Sequence, residues 1–314
     1  MQNIFIITLG TREVQFKKDL LKEAGFEIPE EDRDMLKHPA SEIPLFKVER
    51  NYNYPDYLCC YEPRTAGKII IENWDLFNKV VELPLIDNAY ETILKDDPID
   101  QLILVYTDQH DLDMSNGQHK RNFARDTVHF REIIRKHLST KSSVSSDDPG
   151  FDIAVEKKAT DIDFQYKDFS VKCKSLFENK ADIHQIFLLA QGGIDQINHA
   201  LTLQLIQAFG SRVKLWQQAE GDLPRNLEFP FLFIRDLNKQ KILKHLEDYD
   251  FGLISEFSDY LSQDAIDLAK YASSRLNLDY SHPTNDYINE IINAETKCRD
   301  LYICAKIFFK RGDY

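Results

Sequence analysis

Two short apolar runs, each cut off by a glycine loop, lie far apart in this chain. The first, residues 4–7 in IFIITLGT, breaks at Thr8-Leu9-Gly10-Thr11. The second, residues 186–190 in IFLLAQGG, breaks at Gln191-Gly192-Gly193 and runs into a long amphipathic stretch, IDQINHALTLQLIQAFG. Apolar runs this short, rich in β-branched residues, predict buried strands. In a parallel sheet both loops open at the carboxyl ends of strands, where ligands of such folds bind. Backbone N–H groups at the glycine-rich entry to the second helix would face an anion. The pair predicts a nucleotide or phosphate site built from both ends of one domain.

Strand and helix patterns alternate between the two units. Helical spacing of Ile69, Ile70, Trp74, Phe77, Val80 and Val81 predicts a helix over 66–81, and a short one follows over 86–94. QLILVYT (101–107) reads as a strand, 123–138 as a helix and 139–150 as a surface loop. A strand at 151–157, a helix at 169–177, a strand at 184–190, a helix at 193–209 and a closing strand at 212–218 complete the series. The alternation predicts a Rossmann-like, doubly wound, mostly parallel α/β domain over residues 1–220. Residues 11–64, charged and rich in Pro and Tyr, read as an irregular insertion. Tyr52, Tyr54 and Tyr57 in it are candidates for a lid stacking on a base. A boundary near 221–228 leads into a smaller, mostly helical segment, 221–314, with 229–234 as its one strand-like run. The chain stops at Tyr314 directly after an apolar helical stripe, which reads as a piece cut from a longer protein.

A formal net charge of -13 excludes a long nonspecific duplex footprint, which needs a basic face. It leaves room for a small anionic ligand held by amides and a few cations. Cys59, Cys60, Cys173, Cys298 and Cys304 form no CxxC pair and read as reduced thiols of a cytoplasmic protein. Eighteen consecutive apolar residues occur nowhere, and a strand begins at once, so neither membrane span nor signal peptide is expected. His110, Asp111, Asp113 and His119 are close in sequence but match no common ligand spacing, so no metal site is expected. Tyr106, Thr107 and Gln109, at the end of the 101–107 strand, are ligand candidates from that side.

The first loop, LGTREVQ, and the late helix start, QGGIDQINHAL, together resemble the CARF domains of type III CRISPR ancillary effectors. Gly192, Gly193, Gln196, Ile197, Asn198, Ala200 and Leu201 stand where that family has a glycine loop, a polar residue, a hydrophobe and Asn, then a helix rich in Ala and Leu. The resemblance covers about residues 1–220. It implies a homodimeric sensor with a cyclic oligoadenylate, tetra-adenylate by family frequency, lying across the two-fold axis and allosterically activating an antiviral effector. It implies ligand contacts from Gly10, Thr11, Arg12 and Glu13 in the first loop, and from Gln191, Gly192, Gly193 and Asn198 in the second. Arg12 stands out because a guanidinium fork suits phosphate. No cofactor is implied beyond the activating ligand.

Some family members cleave their own activator by aligning a ribose 2′-hydroxyl with its phosphate, and Thr11 and Arg12 are the candidates for that chemistry. Gln191 and Ile194 stand where Ser or Thr often occurs, which counts against it. The HEPN ribonuclease that many members carry is marked by Arg and His with four to six residues between them. Arg33/His38, Arg131/His137 and Arg275/His282 meet that spacing, but none falls in a plausible ribonuclease helix, so the effector reads as absent from this chain. CARF domains are also fused to helix-turn-helix modules, so a ligand-responsive transcription regulator is an alternative; the acidic first half of 236–311 argues against it. A nicotinamide enzyme would need GxGxxG, where LGTREVQ has one glycine, and a base deaminase would need a CxxC.

Overall fold

The computed structural model describes residues 2–39, 46–141, 151–177, 182–218, 222–280 and 293–311. The chain forms two compact units, Met1–Pro230 and Phe231–Tyr314. In chain order the first contains β1 (Gln2–Thr8), β2 (Gln15–Lys17), α1 (Lys18–Glu23), β3 (Met35–Leu36), β4 (Phe46–Arg50) and β5 (Tyr57–Cys60). Then come α2 (Pro63–Glu72), α3 (Trp74–Phe77), β6 (Val81–Glu82), α4 (Pro84–Leu94), β7 (Gln101–Thr107), α5 (Gly117–Ala124) and α6 (Phe130–Ser139). It ends with β8 (Ile153–Val155), α7 (Ile162–Leu176), β9 (Ile183–Leu189), α8 (Asp195–Phe209), β10 (Val213–Gln217) and β11 (Arg225–Leu227).

Among the described residues, six strands form one sheet in the order β11-β10-β9-β1-β7-β8. The strands β8, β7, β1, β9 and β10 run parallel, and β11 closes the edge antiparallel to β10. β1 sits between β7, with Ile4 opposite Gln101, and β9, with Ile7 opposite Leu189. The chain fills the β7 side first and returns to the other side of β1 with β9, so the order reverses between β1 and β9. That order is compatible with a Rossmann-like fold. Phe5 and Ile7 of β1 enter a core shared with Leu104 of β7, Ile86 of α4 and Ile134 of α6. Ile4 and Ile6, buried too, point the other way by the period of a strand, so both faces of β1 are covered.

The region expected to be an irregular insertion over 11–64 is instead most of a second sheet. Its antiparallel strands run in the order β3-β4-β5-β2-β6, and its pairing extends to Glu82. Phe16, Phe26, Phe46 and Phe77 pack ring to ring at centroid distances of 5.5–6.2 Å, and they join the same core as Phe5. Strands of two to five residues are too short to display an alternation, which is why the pattern stayed hidden in the sequence. The tyrosines proposed as a lid belong to this sheet and its turn. Tyr52 is 75 % exposed and donates to Asp32, while Tyr57 on β5 donates to Glu82 Oε2 at 2.9 Å.

Three further expectations are corrected. The single helix over 66–81 is α2 and α3 followed by strand β6. Asn73 caps α2 in a non-helical conformation, and its side chain turns back to the Ile69 carbonyl at 2.9 Å. The helix over 123–138 is two, α5 and α6, because Asp126 and Thr127 between them bond to the end of β7. The strand-like run 229–234 begins helix α9 (Phe229–Glu247), and the strand near it is β11. Pro230 falls in the first turn of α9, where its missing N–H costs nothing, and the following IRDLNKQKILKHLE favours helix. The strand and helix expected at 151–157 and 169–177 form as β8 and a longer α7. Of the loop expected at 139–150, residues 142–150 lie outside the described residues.

In the second unit α9 continues into a 3₁₀ segment at Phe251–Tyr260, α10 (Gln263–Leu276) and α11 (Ala294–Arg311). Ile254, Ile266, Ala269 and Cys304 form its buried apolar positions. Arg275 Nε of α10 meets Asp300 Oδ2 of α11 at 2.5 Å. Arg275 is on a helix, while its sequence partner His282 lies outside the described residues.

Candidate functional site

The β1 and β9 loops meet at the carboxyl end of the sheet, and their contact leaves no room for side chains. A Cβ on Gly10 would stand 2.2 Å from the Gly193 nitrogen, and one on Gly192 would stand 2.4 Å from the Thr8 carbonyl oxygen. Gly193 has φ +85°, the left-handed conformation that glycine adopts without strain. Thr8 Oγ1 and Asn198 Nδ2 both donate to the Gly192 carbonyl at 2.9 Å. The Asn198 side chain is thus part of the loop's support. Gln191 donates its amide to the Gln218 carbonyl and accepts from the Gln218 N–H at 2.8 Å, fastening the β9 loop to the end of β10.

Glu13 is wedged between the two glycine loops. Its Oε2 accepts the Gly10 N–H at 2.6 Å, and its Oε1 lies where a Cβ on Gly192 would point. It is 6 % exposed, and burial pushes its carboxyl up to about 7, opposed by the Gly10 hydrogen bond and the charge of Arg12. Arg12 itself is exposed, and its carbonyl accepts from Gln15 Nε2 at 2.8 Å.

On the other side of β1 the end of β7 is locked to the α5–α6 turn. The Thr107 and Thr127 hydroxyls accept each other's backbone N–H groups at 3.1 Å, and Thr127 Oγ1 donates to the Leu9 carbonyl at 3.5 Å. Asp126 accepts from the Gln109 N–H, from Gln109 Nε2 and from Arg64 Nη2, each at 2.9 Å. Arg64, from α2, also meets Asp108 Oδ1 at 2.6 Å and lies over the Phe123 ring at 3.8 Å.

Between these loops opens a cavity of about 300 Å³. Of the sequence-predicted contacts, Gly10, Thr11, Thr107, Gln109 and Gly193 line it. Arg12, Glu13, Gln191, Gly192 and Asn198 do not, the last four being engaged in joining the loops. Asn122, Arg125, Asp126, Thr127 and Thr160, not anticipated from the sequence, line the cavity too, together with Leu9 and Ile194. An Asp-Thr pair interrupting a helical apolar pattern was the available signal, since such residues favour caps and turns over helix interiors. Tyr106 points into the core instead and accepts from Arg131 Nη1 at 2.9 Å.

The His/Asp loop over 108–119 holds itself together. His119 Nδ1 accepts the Asp113 N–H at 3.0 Å, Asp113 accepts from Ser115, and Asp111 accepts the Lys158 N–H at 3.1 Å. Among the described residues no cluster of three or more His, Cys, Asp or Glu is disposed to hold a metal ion. Among them, too, no helix is long and apolar enough to cross a membrane. Burial pushes the Cys59 and Cys173 thiols up to about 12, so both stay protonated near neutral pH.

These features define an α/β protein with a crevice at the reversal of a mostly parallel sheet, lined in part by glycine backbone. Compared with solved structures, the whole chain superposes on Enterococcus italicus Csm6 bound to cyclic hexa-2′-fluoro-hexa-dAMP, with a TM-score of 0.53 and 12% identity. The likeness is one of fold, and the chain spans 63% of that protein's length. No protein-family model and no curated protein matches the chain.

Proposed function

We propose that this chain is a cyclic oligoadenylate sensor of type III CRISPR defence, acting as a homodimer and signalling to an effector. The observation that carries this reading is the joined pair of glycine loops at the sheet reversal, in a fold shared with a Csm6 that was bound to a cyclic hexa-adenylate analogue. A cavity of about 300 Å³ is too small for a whole ring, so each subunit would take one part of it, and a two-fold pair would present the same loops twice. Gly10 and Gly193 let the two loops close on each other and so shape the wall that the ligand would meet. Thr11, Gln109, Asn122 and Thr160 supply neutral donors and acceptors for ribose and base. The ligand activates by binding one arrangement of the pair better than the other.

Titration calorimetry with cyclic tri-, tetra- and hexa-adenylate, and linear tetra-adenylate as control, tests the reading. Family frequency favours tetra-adenylate, and the neighbour's ligand puts hexa-adenylate beside it. One ring bound tightly at one per two chains is the expected result. No binding of any ring would reduce the site to a generic nucleotide crevice.

A further inference from the structure

The cavity wall contains one carboxylate and one guanidinium, and the structure treats them oppositely. Asp126, buried at 1 % exposure, has both oxygens engaged by Arg64 and Gln109. Arg125, its neighbour, is exposed, and among the described residues its side chain has no hydrogen-bond or ion-pair partner. We propose that Arg125 is the side chain that binds a phosphodiester group in this cavity, a role the sequence pattern gave to Arg12. The proposal rests on the oligoadenylate reading of the site and names the residue that meets its phosphate.

Three observations support it. The turn carrying Arg125 is held by hydrogen bonds on both sides of it in sequence. The Arg125 N–H donates to the carbonyls of Arg121 and Asn122 at 3.2 and 3.1 Å, Arg64 Nε holds the Phe123 carbonyl at 3.1 Å, and Thr127 is locked to Thr107. The one carboxylate of the wall is already answered, since Arg64 pairs with Asp126 as well as with Asp108. Arg125 also stands in the cavity wall, whereas Arg12 is outside it. A guanidinium on a fixed backbone offers two parallel N–H groups to phosphate oxygens at a small ordering cost.

The test uses the full chain as parent, R125A, R125K and R12A. Its probes are cyclic tetra-adenylate, cyclic hexa-adenylate and 5′-phosphorylated linear di-adenylate. R125A should lose roughly tenfold to a hundredfold in affinity for the bound probe, the worth of a charge-assisted contact. Its melting temperature should stay at the parent's, since the side chain is exposed and unpaired. R125K should recover only part of the affinity, because an ammonium lacks the fork. A ring bound equally well by parent and R125A, with loss confined to R12A, overturns the assignment and leaves the sensor reading standing. Linear di-adenylate bound by the parent and lost in R125A, with no ring bound, upholds the assignment and refutes the sensor. If the parent binds no probe, both fall.

Discussion

Glu13 is a carboxyl group held where water cannot reach it, by a backbone that needs its oxygen. Its folded value of about 7 lies above the ordinary 4.5, so the folded chain holds a proton that the unfolded chain releases between those values. Stability contributed by this proton is therefore complete below about pH 4.5, falls as pH rises toward 7 and is absent above it. The size is at most about 3 kcal/mol. Glu13→Gln keeps an oxygen for the Gly10 N–H and has no proton to lose. Thermal melts should find it more stable than the parent at pH 8, with the difference shrinking by pH 5. An advantage of equal size at both values would mean that Glu13 is not buried as described. An acidic residue in a loop reads as solvated from sequence, so its interior position could not be foreseen. The glycines beside it could, because a glycine after an apolar run has few reasons to be there other than turn or close approach.

The parallel elements announced themselves, since four or five consecutive apolar residues have one common explanation in an alternating chain. The inserted sheet did not. Its strand β2 is three residues long, and its partners come from stretches crowded with charge and tyrosine. What identifies it as structure is Phe16, fully buried on β2 and packed 5.9 Å from Phe46 and 6.2 Å from Phe77. Phe16→Ala should cost about 3–5 kcal/mol. Trp74 beside the inserted sheet and Trp216 on β10 both pack against the shared core and can report separately in single-tryptophan variants. In urea both should move together to a lower midpoint. Two separated transitions would show instead that the inserted sheet unfolds as an independent unit. Helix α9 failed in the opposite sense: Phe229–Ile234 has the composition of a strand, yet it forms the first turns of a helix. Composition alone cannot tell a short apolar helix start from a strand.

The two-fold pairing proposed for this chain would be a property of the molecule and not of any one residue, because a site of about 300 Å³ in a single chain would not enclose a ring. Sedimentation equilibrium should give a species of twice 36.7 kDa with the ring bound. A chain that stays monomeric under saturating ring would exclude the shared site. The placement of β1 has a further consequence, for the order in which the protein can be made. β1 is synthesised before every other strand of its sheet, yet Ile4 pairs with Gln101 and Asn3 with Gln185, so both its edges stay bare until much more of the chain has emerged. The strands of the inserted sheet all fall between Gln15 and Glu82 and can close on one another meanwhile. Long-range parallel pairing is slow, and an uncovered apolar edge invites the wrong partner. A ribosome paused before β9 would therefore present a strand with one side open, and the same strand that carries the first glycine loop would be the first point of misassembly.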